Sequence, residues 1–249
     1  MKRLASAFGF LTVVPLPARL RGDGAALGGS VVFFPVVGLA IGTAVGGLDA
    51  ALSRCLPASV VTVLTVIALV AVSGGLHLDG LADTADGFFS SRPRQRILEI
   101  MKDSRSGPLA VAAVVLVVAF KLAVIGALPV DLRWRTLVLV PLAGRSGIVA
   151  SMTVLPYARP EGGLGTAFAA RRPWGALLLS VALLGVVGFW AAGARGLIGG
   201  AVSLAAALLL SAYAQRKIGG WTGDTLGATC EVVEIVPALV MLLRLTEIA

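Results

Sequence analysis

The sequence predicts an all-α fold: a polytopic integral membrane bundle of about seven transmembrane helices, forming a single membrane-embedded domain over residues 1–249. Three observations predict it. Of 249 residues, 57% are hydrophobic and 14% charged, whereas a soluble domain is roughly 45–50% apolar and about 25% charged. A soluble fold of this size has too little interior to hide the surplus. Seven apolar stretches approach the ~20 residues that a bilayer-crossing helix requires. Period-2 alternation is absent, which favours helices over a barrel. A secreted disulfide scaffold, a disordered tail and a conventional cytosolic enzyme are excluded.

Taken in order, Met1-Lys2-Arg3 opens a short apolar run to Val14. Pro15-Leu16-Pro17 and more arginine follow where a cleavage site would need small residues, so no cleavable signal peptide is expected. The spans fall at 31–52, 58–77, 109–128, 136–155, 175–192, 197–213 and 224–243. In the first of them Gly38, Gly42 and Gly46 recur every four residues, the pattern of closely packed membrane helices. Asp224, Glu231 and Glu234 interrupt the last. Cys55 and Cys230 lie in apolar surroundings without CxxC or metal-type spacing, and both are expected to be buried small residues. No repeat, linker or low-complexity block divides the chain.

A net charge of +8 would suggest nucleic acid in a soluble protein. Here it follows from the accumulation of Lys and Arg in cytoplasmic loops, and no nucleic-acid partner is expected; the lipid bilayer is the partner. With the N-terminus inside, the inner segments carry fourteen basic residues, from Lys2, Arg3, Arg19 and Arg21 through Arg92, Arg94, Arg96, Lys102 and Arg105 to Arg159, Arg171, Arg172, Arg216 and Lys217. The outer side carries five: Arg54, Arg133, Arg135, Arg195 and Arg244. The asymmetry places the N-terminus in the cytoplasm. Tyr157 and Trp174, flanking an inner loop, are expected as interface anchors.

The chemistry is concentrated in the carboxylates. Eight of the 13 acids occupy two windows: Asp79, Asp83, Asp86, Glu99 and Asp103, then Asp224, Glu231 and Glu234. Asp79, Asp83 and Asp86 are spaced i, i+4, i+7 and share one helical face. Such an oxygen-only set suits Mg²⁺, which substrate phosphates typically complete. The alternative is that these acids cap helices and pair with arginines, an even choice for Glu99 beside Arg96 and Lys102. Arg92, Lys102 and Arg105 supply the positive charge a polyphosphate needs. Metal carboxylates with basic phosphate ligands point to phosphoryl-group transfer. Lys121 and Arg145 lie mid-span, where an unpaired charge is disfavoured, and Glu231 and Glu234 are their natural partners. His77, the single histidine, cannot build a metal cluster; it is a structural hydrogen-bonding group or a substrate contact.

The run Gly74-Gly75-Leu76-His77-Leu78-Asp79-Gly80-Leu81-Ala82-Asp83-Thr84-Ala85-Asp86-Gly87 resembles the signature of the cobalamin synthase family, the adenosylcobinamide-GDP ribazoletransferases. So do Glu99-Ile100-Met101-Lys102-Asp103-Ser104-Arg105, Leu155-Pro156-Tyr157-Ala158-Arg159-Pro160, Gly223-Asp224-Thr225-Leu226-Gly227-Ala228 with Glu231 and Glu234, and the early Phe34-Pro35-Val36-Val37-Gly38. The likeness covers nearly the whole chain. Two departures are visible: Val13 stands where a basic residue is expected, and Ser90-Ser91 replaces a more glycine-rich turn.

The resemblance implies an Mg²⁺-dependent enzyme of the bacterial cytoplasmic (inner) membrane. Such an enzyme joins α-ribazole, or its 5′-phosphate, to adenosylcobinamide-GDP, releasing GMP and forming adenosylcobalamin or its phosphate. On this reading Asp79, Asp83 and Asp86 hold Mg²⁺ against the pyrophosphate, with Asp103 as a further ligand or, like Glu231, the proton acceptor. His77, Arg92, Lys102, Arg105, Asp224 and Glu234 contact substrate or its phosphates. Homo-oligomerisation and docking of other cobalamin-assembly enzymes on the inner loops stay open. Two rivals remain: a CDP-alcohol phosphotransferase, whose acidic motif Asp83-Thr84-Ala85-Asp86-Gly87 imitates without the following Ala-Arg, and a cation transporter with Asp79, Asp83, Lys121 and Glu231 along a midplane path.

Overall fold

The computed structural model describes residues 1–15, 17, 24–103, 105–159, 162 and 165–243. Arg19, Arg21 and Arg244, counted above for orientation, and Ser104 and Pro160 of the signature blocks lie outside them. The described helices are α1 (Lys2–Leu11), α2 (Gly24–Gly28), α3 (Phe34–Leu52), α4 (Ala58–Val72), α5 (Leu76–Phe88), α6 (Arg94–Ile100), α7 (Pro108–Gly126), α8 (Val130–Val154), α9 (Thr166–Ala169), α10 (Trp174–Ile218), α11 (Gly223–Val233) and α12 (Ile235–Leu242). Among the described residues there is no strand, only an isolated parallel bridge between Tyr157 and Trp221.

The bundle is organised around α8, which is buried without interruption from Thr136 to Thr153. Helices α3, α10, α11 and α12 pack against it. The glycine stripe of α3 meets α8 backbone: a Cβ at Gly38, Gly42 or Gly46 would stand 2.6, 2.4 or 2.6 Å from the carbonyl oxygens of Pro141, Val138 and Trp134. Only glycine permits that approach, as the spacing predicted. The opposite faces of the outer helices are apolar and exposed, with Leu116, Leu178, Val186, Phe189 and Leu209 each more than 60% accessible. In a soluble protein such a belt is a liability; here it is the lipid-facing surface of a multi-pass membrane protein.

Among the described residues, five helices are long and apolar enough to cross a membrane, six if α4 and α5 form one broken span. The 45-residue α10 is itself two helices. Ala192 and Gly193 leave helical geometry, Gly193 with φ 56°. A Cβ on Gly188 would lie 2.6 Å from the oxygen of Gly196, residues that a straight helix holds about 12 Å apart. The chain therefore folds back on itself, and its limbs 174–191 and 194–218 correspond to the two separate spans expected there.

Several expectations need correction. The stretch 58–77 does not continue as one helix: α4 ends at Val72, Gly74 and Gly75 take φ 61° and 77°, and α5 leaves at 85°. Helix α8 starts at Val130, earlier than position 136, despite the charges there. Arg133 is not a loop cation: it is fully buried and its Nε donates to Asp49 Oδ1 and Oδ2 at 3.1 and 3.0 Å. Thr65 Oγ1 donates to the same carboxylate at 3.0 Å, and Arg133 Nη2 donates to Ser53 at 2.9 Å. An isolated charge inside the bundle is expensive, and this cluster satisfies it. Cys55 is exposed, in the turn after α3, while Cys230 is buried as expected.

Candidate active site

The site forms where α5 crosses α11, and two glycines set how closely they approach. A Cβ on Gly80 would stand 2.8 Å from the backbone oxygen of Asp224, and one on Gly227 would stand 3.0 Å from that of His77. Glycine at both positions thus brings the acidic face of α5 onto the start of α11. That start is fixed by a reciprocal cap: Thr225 N donates to Thr222 Oγ1 (3.2 Å) and Thr222 N to Thr225 Oγ1 (2.9 Å). Asp224 follows in the first turn, where the helix dipole favours a carboxylate. Its Oδ2 accepts from Arg159 Nη2 at 2.7 Å. Arg159 is held in place because its loop is stitched to Trp221, with Ala158 N donating to Trp221 O and Trp221 N to Pro156 O, both at 2.9 Å.

Asp79 and Asp83 complete the cluster. Neither side-chain carboxylate has a hydrogen-bond or ion-pair partner among the described residues. Asp83 lies in the combined field of Asp224, Asp79 and Asp86, offset by Arg159. Beside them opens a cavity of about 280 Å³ whose polar lining includes His77, Asp79, Arg159 and Asp224. The remaining walls are largely apolar: Phe10, Phe34, Ile148, Met152, Tyr157, Phe168, Trp221 and Leu226. The rings reinforce one another, with centroids of Phe10 and Phe168 5.0 Å apart and those of Tyr157 and Trp221 4.7 Å apart. Tyr157 is thus part of the cavity and not the interface anchor expected of it; Trp174 is 56% exposed at the start of α10. A second cleft, of about 340 Å³, adjoins at Arg159 and is lined by Arg94, Gln95, Leu98, Glu99, Lys102 and Ala158.

The other predicted residues divide into groups. Asp86 turns from the cavity: its carboxylate accepts from Gly107 N at 2.5 Å and Ala110 N at 2.8 Å, capping α7. Asp103 and Arg105 form an exposed pair, Arg105 Nη2 donating to Asp103 Oδ2 at 2.7 Å. Those hydrogen bonds pull the Asp103 carboxyl down to about 2, so it is ionised but a feeble proton acceptor at neutral pH. Glu99 accepts from Arg96 at 2.8 Å. Lys102 lines the second cleft. Arg92 is exposed beyond the end of α5.

Glu231 and Glu234 belong elsewhere. Lys121 Nζ donates to Glu231 Oε2 at 2.6 Å and to Glu234 Oε2 at 2.5 Å, and Arg145 Nη1 donates to Glu234 Oε1. All four are buried, and neither glutamate lines the cavity. The pairing expected of Lys121 and Arg145 is present. The structure does not bring either glutamate to the Asp79–Asp224 cluster, where catalytic or substrate-contacting roles were expected: their facing cations neutralise them away from the cavity.

Sequence reasoning gave Arg159 and Phe34 no role beyond a loop charge and a place in the resemblance blocks, and passed over Trp221, Phe10 and Phe168. Arg159 stood inside the Leu155–Pro160 block, so a signal existed. The phenylalanines come from α1, α3 and α9, and nothing local marks them as neighbours.

Comparison with known proteins identifies the family. The model of the cobalamin-5-phosphate synthase (CobS) family matches residues 3–242. A protein of Acetivibrio thermocellus is 39% identical over 237 residues, covering 93% of this chain and 94% of the relative. One from Pseudomonas syringae pv. syringae is 40% identical over 237 residues, covering 92% and 94%. One from Clostridium acetobutylicum is 36% identical over 231 residues, covering 93% and 92%. Each of the three bears the name adenosylcobinamide-GDP ribazoletransferase. No solved structure matches the chain. Likeness that runs from α1 to α12 leaves neither a phospholipid synthase nor a transporter as the parent of this sequence, and the chain is an enzyme belonging to the cobalamin-5-phosphate synthase family.

Proposed function

We propose that the protein transfers the adenosylcobinamide-phosphate group of adenosylcobinamide-GDP to a hydroxyl of α-ribazole or its 5′-phosphate. GMP is released, and adenosylcobalamin or its phosphate forms. The observation that carries this reading is the α5–α11 crossing, where Asp79, Asp83 and Asp224 meet Arg159 between an aromatic cavity and a basic cleft. The family and its relatives' names supply the substrates.

The acceptor oxygen attacks the phosphorus attached to the cobinamide arm. A new P–O bond forms, the bond to the GMP oxygen breaks, and GMP departs with the electron pair. The acceptor proton passes to Asp79, the cavity-lining carboxylate without a partner. Arg159 and Lys102, lining the cleft, offset charge on the leaving phosphate.

The residues fit Mg²⁺. Their donors are all oxygen and their negative charge exceeds the one facing arginine. No three His, Cys, Asp or Glu side chains form a closed metal cage among the described residues. Mg²⁺ needs only one or two carboxylates when phosphates and water complete its shell. Asp83 and Asp224 would hold it, and when bound it neutralises charge on the pyrophosphate. The basic residues at this end of the bundle support a cytoplasmic orientation for it, with the protein in the cytoplasmic membrane.

The test is GMP release by purified protein from adenosylcobinamide-GDP and α-ribazole, with and without Mg²⁺. Turnover that needs all three components supports the reading. Absence of GMP with every component present overturns it.

A further inference from the structure

The cavity is too small for the proposed donor. At about 280 Å³ it lies at the bottom of the range for small-molecule pockets, roughly 300–1,000 Å³, and a corrin ring attached to a nucleotide far exceeds it. Only a fragment enters. Three small planar bases are present in the proposed reaction: guanine and adenine, the two purines of the donor, and the heteroaromatic base of the acceptor.

The walls discriminate between them. Phe10, Phe34, Phe168 and Trp221 give flat apolar surface, which suits each ring system. Guanine and adenine carry polar groups around most of their edges; Asp79, Arg159 and Asp224 could meet these on one side only, and burying the rest against Ile148, Met152 and Leu226 is costly. The acceptor base of α-ribazole, a dimethylbenzimidazole, has an apolar methylated ring and one unsubstituted ring nitrogen. The cavity presents a matching demand. His77 lines it, is 3% exposed, and its Nε2 has no hydrogen-bond partner among the described residues. A buried polar atom left unpaired is rare and calls for a ligand or a water.

We infer that this cavity is the base subsite of the acceptor, taking a bicyclic aromatic base with an apolar outer ring and a single ring nitrogen, which His77 Nε2 contacts. The assignment rests on the proposed reaction. It adds that acceptor recognition lies in the aromatic cavity and donor phosphate recognition in the Arg94–Lys102–Arg159 cleft. It also explains the position of Asp79: a nucleoside whose base fills the cavity leaves its sugar hydroxyls at the polar mouth formed by Asp79, Asp224 and Arg159.

The test measures binding as well as turnover. Binding of α-ribazole alone, through its own fluorescence, and of adenosylcobinamide-GDP alone are compared in wild type, Gly223→Leu, His77→Phe and His77→Gln. Gly223 lines the cavity and a Cβ there meets nothing within 4 Å, so leucine enters the mouth without disturbing the backbone. His77→Phe keeps a planar ring and removes the polar atom. The expected result is a loss of α-ribazole affinity of about 10-fold or more in Gly223→Leu and His77→Phe, the scale of one buried hydrogen bond or a filled pocket. Donor affinity stays unchanged, and His77→Gln, which retains a donor, recovers part of the loss. A thermal melt and elution volume like those of wild type confirm folding. Unchanged α-ribazole binding in both Gly223→Leu and His77→Phe, with GMP still released by wild type, overturns the subsite and leaves the proposed reaction standing. Loss of donor binding in their place assigns the cavity to a donor purine and equally overturns it. Failure of wild type to release GMP overturns the reaction and the subsite together.

Discussion

Two charged clusters lie along α11, about 10 Å apart by the helical rise, and they are built on opposite terms. At the deep end Glu231 and Glu234 meet Lys121 and Arg145, so that charge is matched and all four groups are buried. At the opposite end Asp79, Asp83 and Asp224 face, among the described residues, Arg159 and border an open cavity. The same residue types thus serve as fasteners in one place and as unfinished ligands in the other. What separates the roles is the charge balance and the access, and neither is a property of any single residue.

The sharpest way to break this contrast is to unbalance the closed cluster. Lys121→Met strands the buried Glu231, leaving Glu234 with Arg145, and is expected to cost about 3–5 kcal/mol, read as a large drop in thermal midpoint and membrane yield. Adding Glu231→Gln recovers part of it. Strictly additive losses would show that the pairs do not couple.

The open cluster responds differently. Asp83→Asn keeps the shape and removes a charge that has no protein partner, so the melt stays near wild type while turnover falls about 10²-fold or more. Asp131→Asn, on the exposed opposite end of α8, is the control. An Asp83 variant that unfolds, or that turns over normally, erases the distinction between the clusters.

Asp86 sharpens the comparison within one helix. It belongs to the same acidic face as Asp83 but caps α7. Asp86→Ala is therefore expected to lower stability by about 1 kcal/mol, and turnover only as far as the shifted α7 disturbs the site.

The smallest effect is expected at the exposed Asp103–Arg105 pair. Asp103 titrates near 2 in the folded protein against an ordinary value of 3.8. A lowered carboxylate contributes stability above its unfolded value and loses it as pH falls through the folded one. The contribution is thus constant from pH 5 to 8, and Asp103→Asn leaves the slope of stability against pH unchanged there. A slope that changes in that window would show that Asp103 has another charged neighbour.

Much of this architecture was legible because membranes simplify the problem. A helix that satisfies its own backbone is nearly obligatory in lipid, so the apolar stretches announced themselves, including the two limbs of α10. Gly38, Gly42 and Gly46 announced a tight contact. The mid-span Lys121 and Arg145 announced buried partners, since nothing else makes such residues tolerable. Asp49 and Arg133 passed unread because they are 84 residues apart and each sits at a span end, where an exposed charge is equally ordinary.

By itself, then, the sequence determined the helical membrane fold, the acidic windows and the need for buried counter-charges, because these follow from local periodicity and from the cost of placing charge in hydrocarbon. Tertiary structure alone decided the division of labour among the acids. Asp86 became a cap because α7 begins beside it, and Asp224 joined the site because Gly80 and Gly227 let two helices touch. The glutamates became fasteners because α7 and α8 present cations at their depth. The cavity, too, is assembled from α1, α3, α5, α8, α9, α11 and the 155–159 loop. A volume bounded by seven separate segments exists only once they pack, and no stretch of sequence encodes it alone.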